Sequence, residues 1–254
     1  MKKIMKFQLK DLLLSYSAYA LAMLLLTVVV SYISGVLHNT NISIQGSGLS
    51  GAILCFAIGI AMYKEHCQMA VQNSVSRKDF FLSSIFVTEI LCFLCALLDV
   101  LLQCIGLLAG AIAPENYNFN GIGSLLLLFY PGFLERNSTA AVWAASFLLT
   151  FLTCLVLSAA GILIAAIYCR LPRKFRMAYC IGVPVFFCSF GFFPLITLSE
   201  LVFPGSMQKL VDFISGIMGI TSGNPILGML TFAIGTIVIR WISYRMLRKT
   251  DFVS

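Results

Sequence analysis

FFLSSIFVTEILCFLCALLDVLLQCIGLLAGAIA, Phe80 to Ala113, runs for 34 residues with only two acidic side chains, Glu89 and Asp99, and no basic one. A bilayer core about 30 Å thick needs roughly 20 apolar residues per helical crossing, so this stretch reads as a membrane-spanning helix. At about 1.5 Å per residue it reaches about 51 Å, so its first turns protrude from the core, tilt, or both. Five more apolar runs accompany it, near Leu12 to Leu37, Gly48 to Met62, Ala140 to Tyr168, Ala178 to Phe203 and Pro225 to Ile242. With 60% hydrophobic and 11% charged residues and a mean hydropathy of +0.97, the chain belongs with integral membrane proteins rather than soluble domains. The expected fold is an all-α membrane protein, a single transmembrane domain over residues 1–254 with six transmembrane helices.

The first run follows Lys2, Lys3, Lys6 and Lys10 but is too long for a secretory signal, whose apolar region is roughly 7 to 15 residues. It reads as a retained first helix. A possible seventh span, Gly121 to Leu134, is short and broken by Pro131 and Gly132, and reads instead as an outer interfacial or re-entrant piece. Charge supports that count. Of the 17 Lys and Arg, all but Arg136 and Lys209 fall on one side of a six-span topology, including the cluster Arg170, Arg173, Lys174 and Arg176. The positive-inside rule then places both termini in the cytoplasm. The formal net charge of +7 answers to insertion and anionic lipid, and nucleic-acid binding has no support.

Seven of the nine cysteines lie in the expected helices, and Cys67 and Cys169 on the reducing side, so no disulfide framework is expected. The pair Cys92 and Cys95 has the spacing of a redox or zinc pair but lies mid-helix with no evident His or Cys companion, so packing is expected and no metal. Gly48-Leu49-Ser50-Gly51 has the G-x-S-G form of intramembrane serine proteases. The only histidines, His38 and His66, are not placed to serve Ser50 as a base, so the motif reads as small residues allowing close helix approach. Without a Gly-rich phosphate loop, the chain alone is not expected to hydrolyse ATP, to bind a cofactor or to be an enzyme.

Glu89 and Asp99 are costly in a span, about 2.5 to 3.5 kcal/mol each at a helix centre, and must face protein or water. Ten residues apart, they lie about 80° from each other around the helix. They are candidates for an ion-coupled carrier or channel; alternatively Glu89 makes a structural ion pair and Asp99 a hydrogen bond to a neighbouring helix.

Between the second and third runs, Gln68 to Phe81 reads as a short amphipathic helix and turn on the cytoplasmic side. Asn73-Ser-Val-Ser-Arg-Lys-Asp-Phe-Phe81 resembles the segment between the second and third helices of ABC-2 type permeases of Gram-positive bacteria, where an SRK-x-FF-like signature follows a coupling helix. This chain has Asn73-Ser74 where many relatives carry a glycine. The basic N-terminal segment, the basic loop between spans four and five and the apolar outer segment Ser206 to Ile220 agree, the last matching a re-entrant or interfacial hairpin.

That resemblance implies the membrane subunit of an ABC exporter in a bacterial plasma membrane. Its partners would be a second permease subunit, forming a homodimer, and two separate ATPase subunits that carry the ATP and Mg. The cargo implied is amphipathic or hydrophobic peptide, as in bacteriocin-immunity pumps and exporters of phenol-soluble modulins. The docking contact would be made by Val71, Gln72, Val75, Ser76, Arg77 and Lys78, with Phe80 and Phe81 anchoring the segment at the lipid interface.

Overall fold

The computed structural model describes residues 2–36, 47–72, 75–112, 124–171 and 206–248. Within them the chain is helical: α1 Lys2–Val36, α2 Ser47–Gln72, α3 Arg77–Ile112, α4 Ser124–Phe129, α5 Pro131–Arg136, α6 Thr139–Arg170, α7 Ser206–Ile217 and α8 Pro225–Arg248. Four of these hold stretches long and apolar enough to cross a membrane, Met5–Val30, Lys78–Leu108, Thr139–Tyr168 and Pro225–Leu247. In α2 the apolar part, Gly48–Met62, is shorter. The expected span at 178–203 lies outside the described residues.

Helix ends follow local chemistry. Ser76 caps α3: its Oγ accepts from the Asp79 N–H at 3.1 Å and its carbonyl from the Phe80 N–H at 3.0 Å. That satisfies donors which a helix start leaves open, while Asp79 in the first turn suits the positive end of the dipole. Proline opens α5 and α8, where its missing N–H costs nothing. The α7–α8 turn relies on Gly219 and Gly223, at φ 71° and 66°; at Gly219 a Cβ would also press on the Asn224 carbonyl and Leu227.

Side-chain contacts fix the helix directions. Tyr16 on α1 donates to the Leu94 carbonyl on α3, and Ser83 on α3 donates to Gln8 on α1, so α1 and α3 run the same way. Tyr19 meets Ser50 on α2, and Cys55 on α2 meets Cys95 on α3, so α2 runs opposite to both. Met229 packs with Val142 and Leu149, and Leu247 with Ile162 and Ala165, so α6 and α8 are parallel. The end of α6 and the start of α8 therefore lie at opposite ends of the bundle.

The core forms three layers. One end joins Phe80, Phe81, Ile162, Ala165, Ala166 and Leu247. The middle joins Leu12, Ala52, Cys55, Ile58, Leu91, Cys92, Cys95 and Cys154. At the far end Leu125, Leu126 and Tyr130, from and beside α4, pack on Val142, Leu149 and Met229. With 6 residues each, α4 and α5 are far too short to cross a bilayer. Tyr130 locks them down: its hydroxyl donates to the Met218 carbonyl at 2.6 Å, and burial pushes its phenol pKa up.

Two helices run beyond their apolar stretches, and one expectation needs correction. α2 continues unbroken past Met62 to Gln72, so no separate short helix begins at Gln68. Tyr63, Lys64, Glu65 and His66 end the apolar run but not the helix, because leaving hydrocarbon does not remove backbone hydrogen bonding. Similarly, α1 begins at Lys2, well before Leu12.

α2 and α6 meet backbone to backbone. A Cβ at Gly59 would stand 2.5 Å from the Ser158 carbonyl oxygen, and one at Gly161 would collide with the Phe56 carbonyl. Gly161→Ala should therefore destabilise the fold by about 1 to 3 kcal/mol, lowering the melting temperature of detergent-purified protein. Gly132→Ala, at a position with open space around it, should leave melting unchanged.

Candidate functional site

The two long helices α2 and α3 are joined at one end of the bundle by the segment that the sequence singled out. Val71 and Gln72 close α2, and Arg77 opens α3. Val75 is half-buried, while Ser76 and Lys78 are exposed. Phe80 and Phe81 differ from the expectation of rings lying at the lipid interface. They are 2% and 7% exposed and pack against α6 and α8, with Phe81 and Tyr244 ring centroids 5.2 Å apart. The aromatic pair anchors the segment by burying its area in the core, and so ties this end of α3 to two other helices.

Basic residues collect at that same end, since it holds the starts of α1 and α3 and the ends of α2, α6 and α8. Lys6, Lys10, Lys78, Arg170 and Arg245 belong there, while Arg136 and Lys209 sit in α5 and α7 at or beyond the other end. Arg245 lies over the Trp241 ring at 4.1 Å, a cation–π contact between neighbours on α8.

Glu89 and Asp99 do not share a site. Glu89 accepts a hydrogen bond from Arg240 Nη1 at 2.6 Å, an ion pair joining α3 to α8, with the two side chains 39% and 16% exposed. Among the described residues, the Nε and Nη2 of Arg240 are buried without a hydrogen-bond partner. Arg240 lies within the apolar run 225–242, which is the signal in the sequence that this cation needs a partner on a neighbouring helix.

Asp99 lies about 15 Å further along α3 and is 3% exposed. Its Oδ2 accepts from Gln103 Nε2 at 3.0 Å and from Thr150 Oγ1 at 3.1 Å. One turn from Thr150, Ser146 Oγ is buried with no hydrogen-bond partner among the described residues. Gly48 opens this corner: a Cβ there would touch both Asp99 Oδ2 and Leu125, at 3.2 and 3.1 Å. Gly48 and Gly51 thus act as close-packing residues, and Ser50 Oγ lies 2.8 Å from the Tyr19 hydroxyl and 3.9 Å from Met23 Sδ. His38 lies outside the described residues.

Sequence reasoning missed what surrounds Cys92 and Cys95. Cys55 Sγ lies 3.7 Å from Cys95 Sγ and 3.8 Å from Cys92 Sγ, and Cys154 joins the same layer. The companions come from α2 and α6, so a spacing within α3 cannot reveal them. Among the described residues, no group of three or more His, Cys, Asp or Glu side chains is placed to hold a metal ion.

No family profile, curated protein or solved structure matches the chain. The residues themselves carry the functional argument.

Removing one member of the Glu89–Arg240 pair strands the other charge in apolar surroundings. Arg240→Ala should cost about 2 kcal/mol, below the usual loss for a buried pair because Glu89 is 39% exposed. The double variant Glu89→Leu with Arg240→Met should recover most of it, as read by denaturant titration in mixed micelles.

Proposed function

We propose that this chain is the membrane-spanning subunit of an ATP-driven exporter, energised by a separate ATPase that docks on the α2–α3 turn. The chain has no phosphate-binding motif, so ATP would act through a partner whose own closure prefers one arrangement of the helices. The supporting observation is the mounting of that turn. The residues from Tyr63 to Gln72 carry α2 about 15 Å past its apolar part, α3 starts on a Ser76 cap, and Phe80 and Phe81 are packed against α6 and α8. A push on Val75, Ser76 or Lys78 is therefore delivered to the start of α3 and, through Phe80 and Phe81, to α6 and α8.

In this reading the basic end faces the cytoplasm, as the positive-inside rule requires, the chain has six spans with both termini inside, and the membrane is the bacterial plasma membrane. Two copies pair and two ATPase subunits dock, holding ATP and Mg. The cargo is an amphipathic or hydrophobic peptide, met by helix faces at the dimer seam.

One observation favours a second reading. Asp99, buried and hydrogen-bonded to Gln103 and Thr150, is the kind of intramembrane acid used in ion-coupled carriers. The two readings separate on Asp99→Asn, which abolishes proton-dependent transport in the second only.

Protein purified in mild detergent from its native host should carry a soluble ATPase in equal stoichiometry, identified by mass spectrometry. Arg77→Ala with Lys78→Ala should weaken that association about tenfold or more, as expected when two charged contacts of about 1 kcal/mol each are lost. A homogeneous preparation without an ATPase would contradict the proposal.

A further inference from the structure

Cys55, Cys92, Cys95 and Cys154 are buried, whereas Cys104, on the same helix as Cys92 and Cys95, is exposed. The four buried thiols come from three helices, α2, α3 and α6, and meet in the middle layer of the core. Packing alone needs small volume at such positions, which Ala or Gly supplies equally well. It does not require sulfur against sulfur. Here Cys55 is the hub: its S–H donates to Cys95 Sγ at 3.7 Å, and the S–H of Cys92 donates to Cys55 Sγ at 3.8 Å.

We propose that Cys55 and Cys95 form a peroxide-oxidisable dithiol whose disulfide ties α2 to α3. An S–S bond is about 2.05 Å long, so the two sulfurs need to close by about 1.7 Å from their separation of 3.7 Å. Gly51 keeps the backbones close at this level, since a Cβ there would stand 3.6 Å from Cys95 Cβ. The oxidant is hydrogen peroxide, a small neutral molecule able to enter the membrane. Once Cys95 has given up its proton, its thiolate takes one oxygen from peroxide to become a sulfenic acid, and the hydroxide released takes up that proton as one water. The Cys55 sulfur attacks that sulfur, the S–S bond forms, and the Cys55 proton leaves with the displaced hydroxide as a second water. Two thiols lose two hydrogens, peroxide becomes two waters, and an external thiol reverses the step by exchange.

Neither cysteine bears charge afterwards, so the product suits an apolar layer as well as the thiols do. Its effect is mechanical. A bond at mid-height stops α2 from sliding on α3 and so restrains any motion entering through their shared turn.

The test uses full-length protein in native membranes, exposed to hydrogen peroxide, alkylated to block remaining thiols, and mapped by non-reducing peptide mass spectrometry. The expected product is a Cys55–Cys95 cross-linked peptide that disappears with a reductant and is absent from Cys55→Ser. Cys154→Ala, which removes a neighbour but neither partner, should retain it. Absence of the cross-link while Cys104 in the same sample is oxidised would overturn the proposal, because the oxidant would have reached the membrane interior. A Cys55–Cys92 link in its place would overturn the assigned pair.

Discussion

The contact of α2 with α6 at Gly59 and Gly161 is the constraint around which this bundle is arranged. In hydrocarbon, water does not drive helices together, and association comes from close packing and from hydrogen bonds across the interface. With carbonyl oxygens of one helix standing where a Cβ of the other would be, the pair gains dispersion contact that larger residues would forbid. α3 then packs alongside both, meeting α2 through the cysteines and α6 through Asp99 with Thr150 and Cys92 with Ser158. α1 and α8 lie further out, with wide apolar faces exposed, among them Leu14, Leu21, Ile234 and Ile237, as lipid-facing helices would have.

Polar groups mark the levels of this arrangement. Near the basic end Gln8 accepts from Ser83 Oγ and Glu89 takes Arg240; further along, Asp99 takes Thr150. Each joins a pair of helices, so the cost of a polar group in the membrane is offset by specificity of neighbour. Between the first and last lie the thiols, which can change their bonding without changing their volume much. The α2–α3 interface combines the buried Phe80 and Phe81 at one end with weakly bonded sulfurs at mid-height.

Much of the architecture was legible in the amino-acid sequence. Long apolar runs mark α1, α3, α6 and α8 because hydrocarbon tolerates little else, and Pro131 with Gly132 showed why the stretch near Leu125 would not cross. Hydropathy reports where lipid ends, which is why it stopped α2 at Met62 while the helix goes on to Gln72. The aromatic pair Phe80 and Phe81 was visible, but rings suit a core as well as an interface, and only the approach of α6 and α8 decides between them. Partners across helices were the hardest to read. The pairing of Glu89 with Arg240, 151 residues apart, and the meeting of Cys55 with Cys95 depend on which helix faces which, and one sequence does not carry that information. The separate fates of Glu89 and Asp99 show the same limit, because 80° around a helix becomes two different neighbours once the bundle closes.

An exporter driven by a cytoplasmic ATPase requires the α2–α3 turn to lie in the cytoplasm while the α5 end faces outside. Ser76→Cys and Asn137→Cys, both at exposed positions, test it directly by labelling intact cells with a membrane-impermeant maleimide and correcting for the parent chain. The topology proposed gives labelling of the residue-137 variant on intact cells and labelling of the residue-76 variant only after the cells are opened. Labelling of the residue-76 variant on intact cells would contradict it, since no cytoplasmic ATPase could then reach the turn.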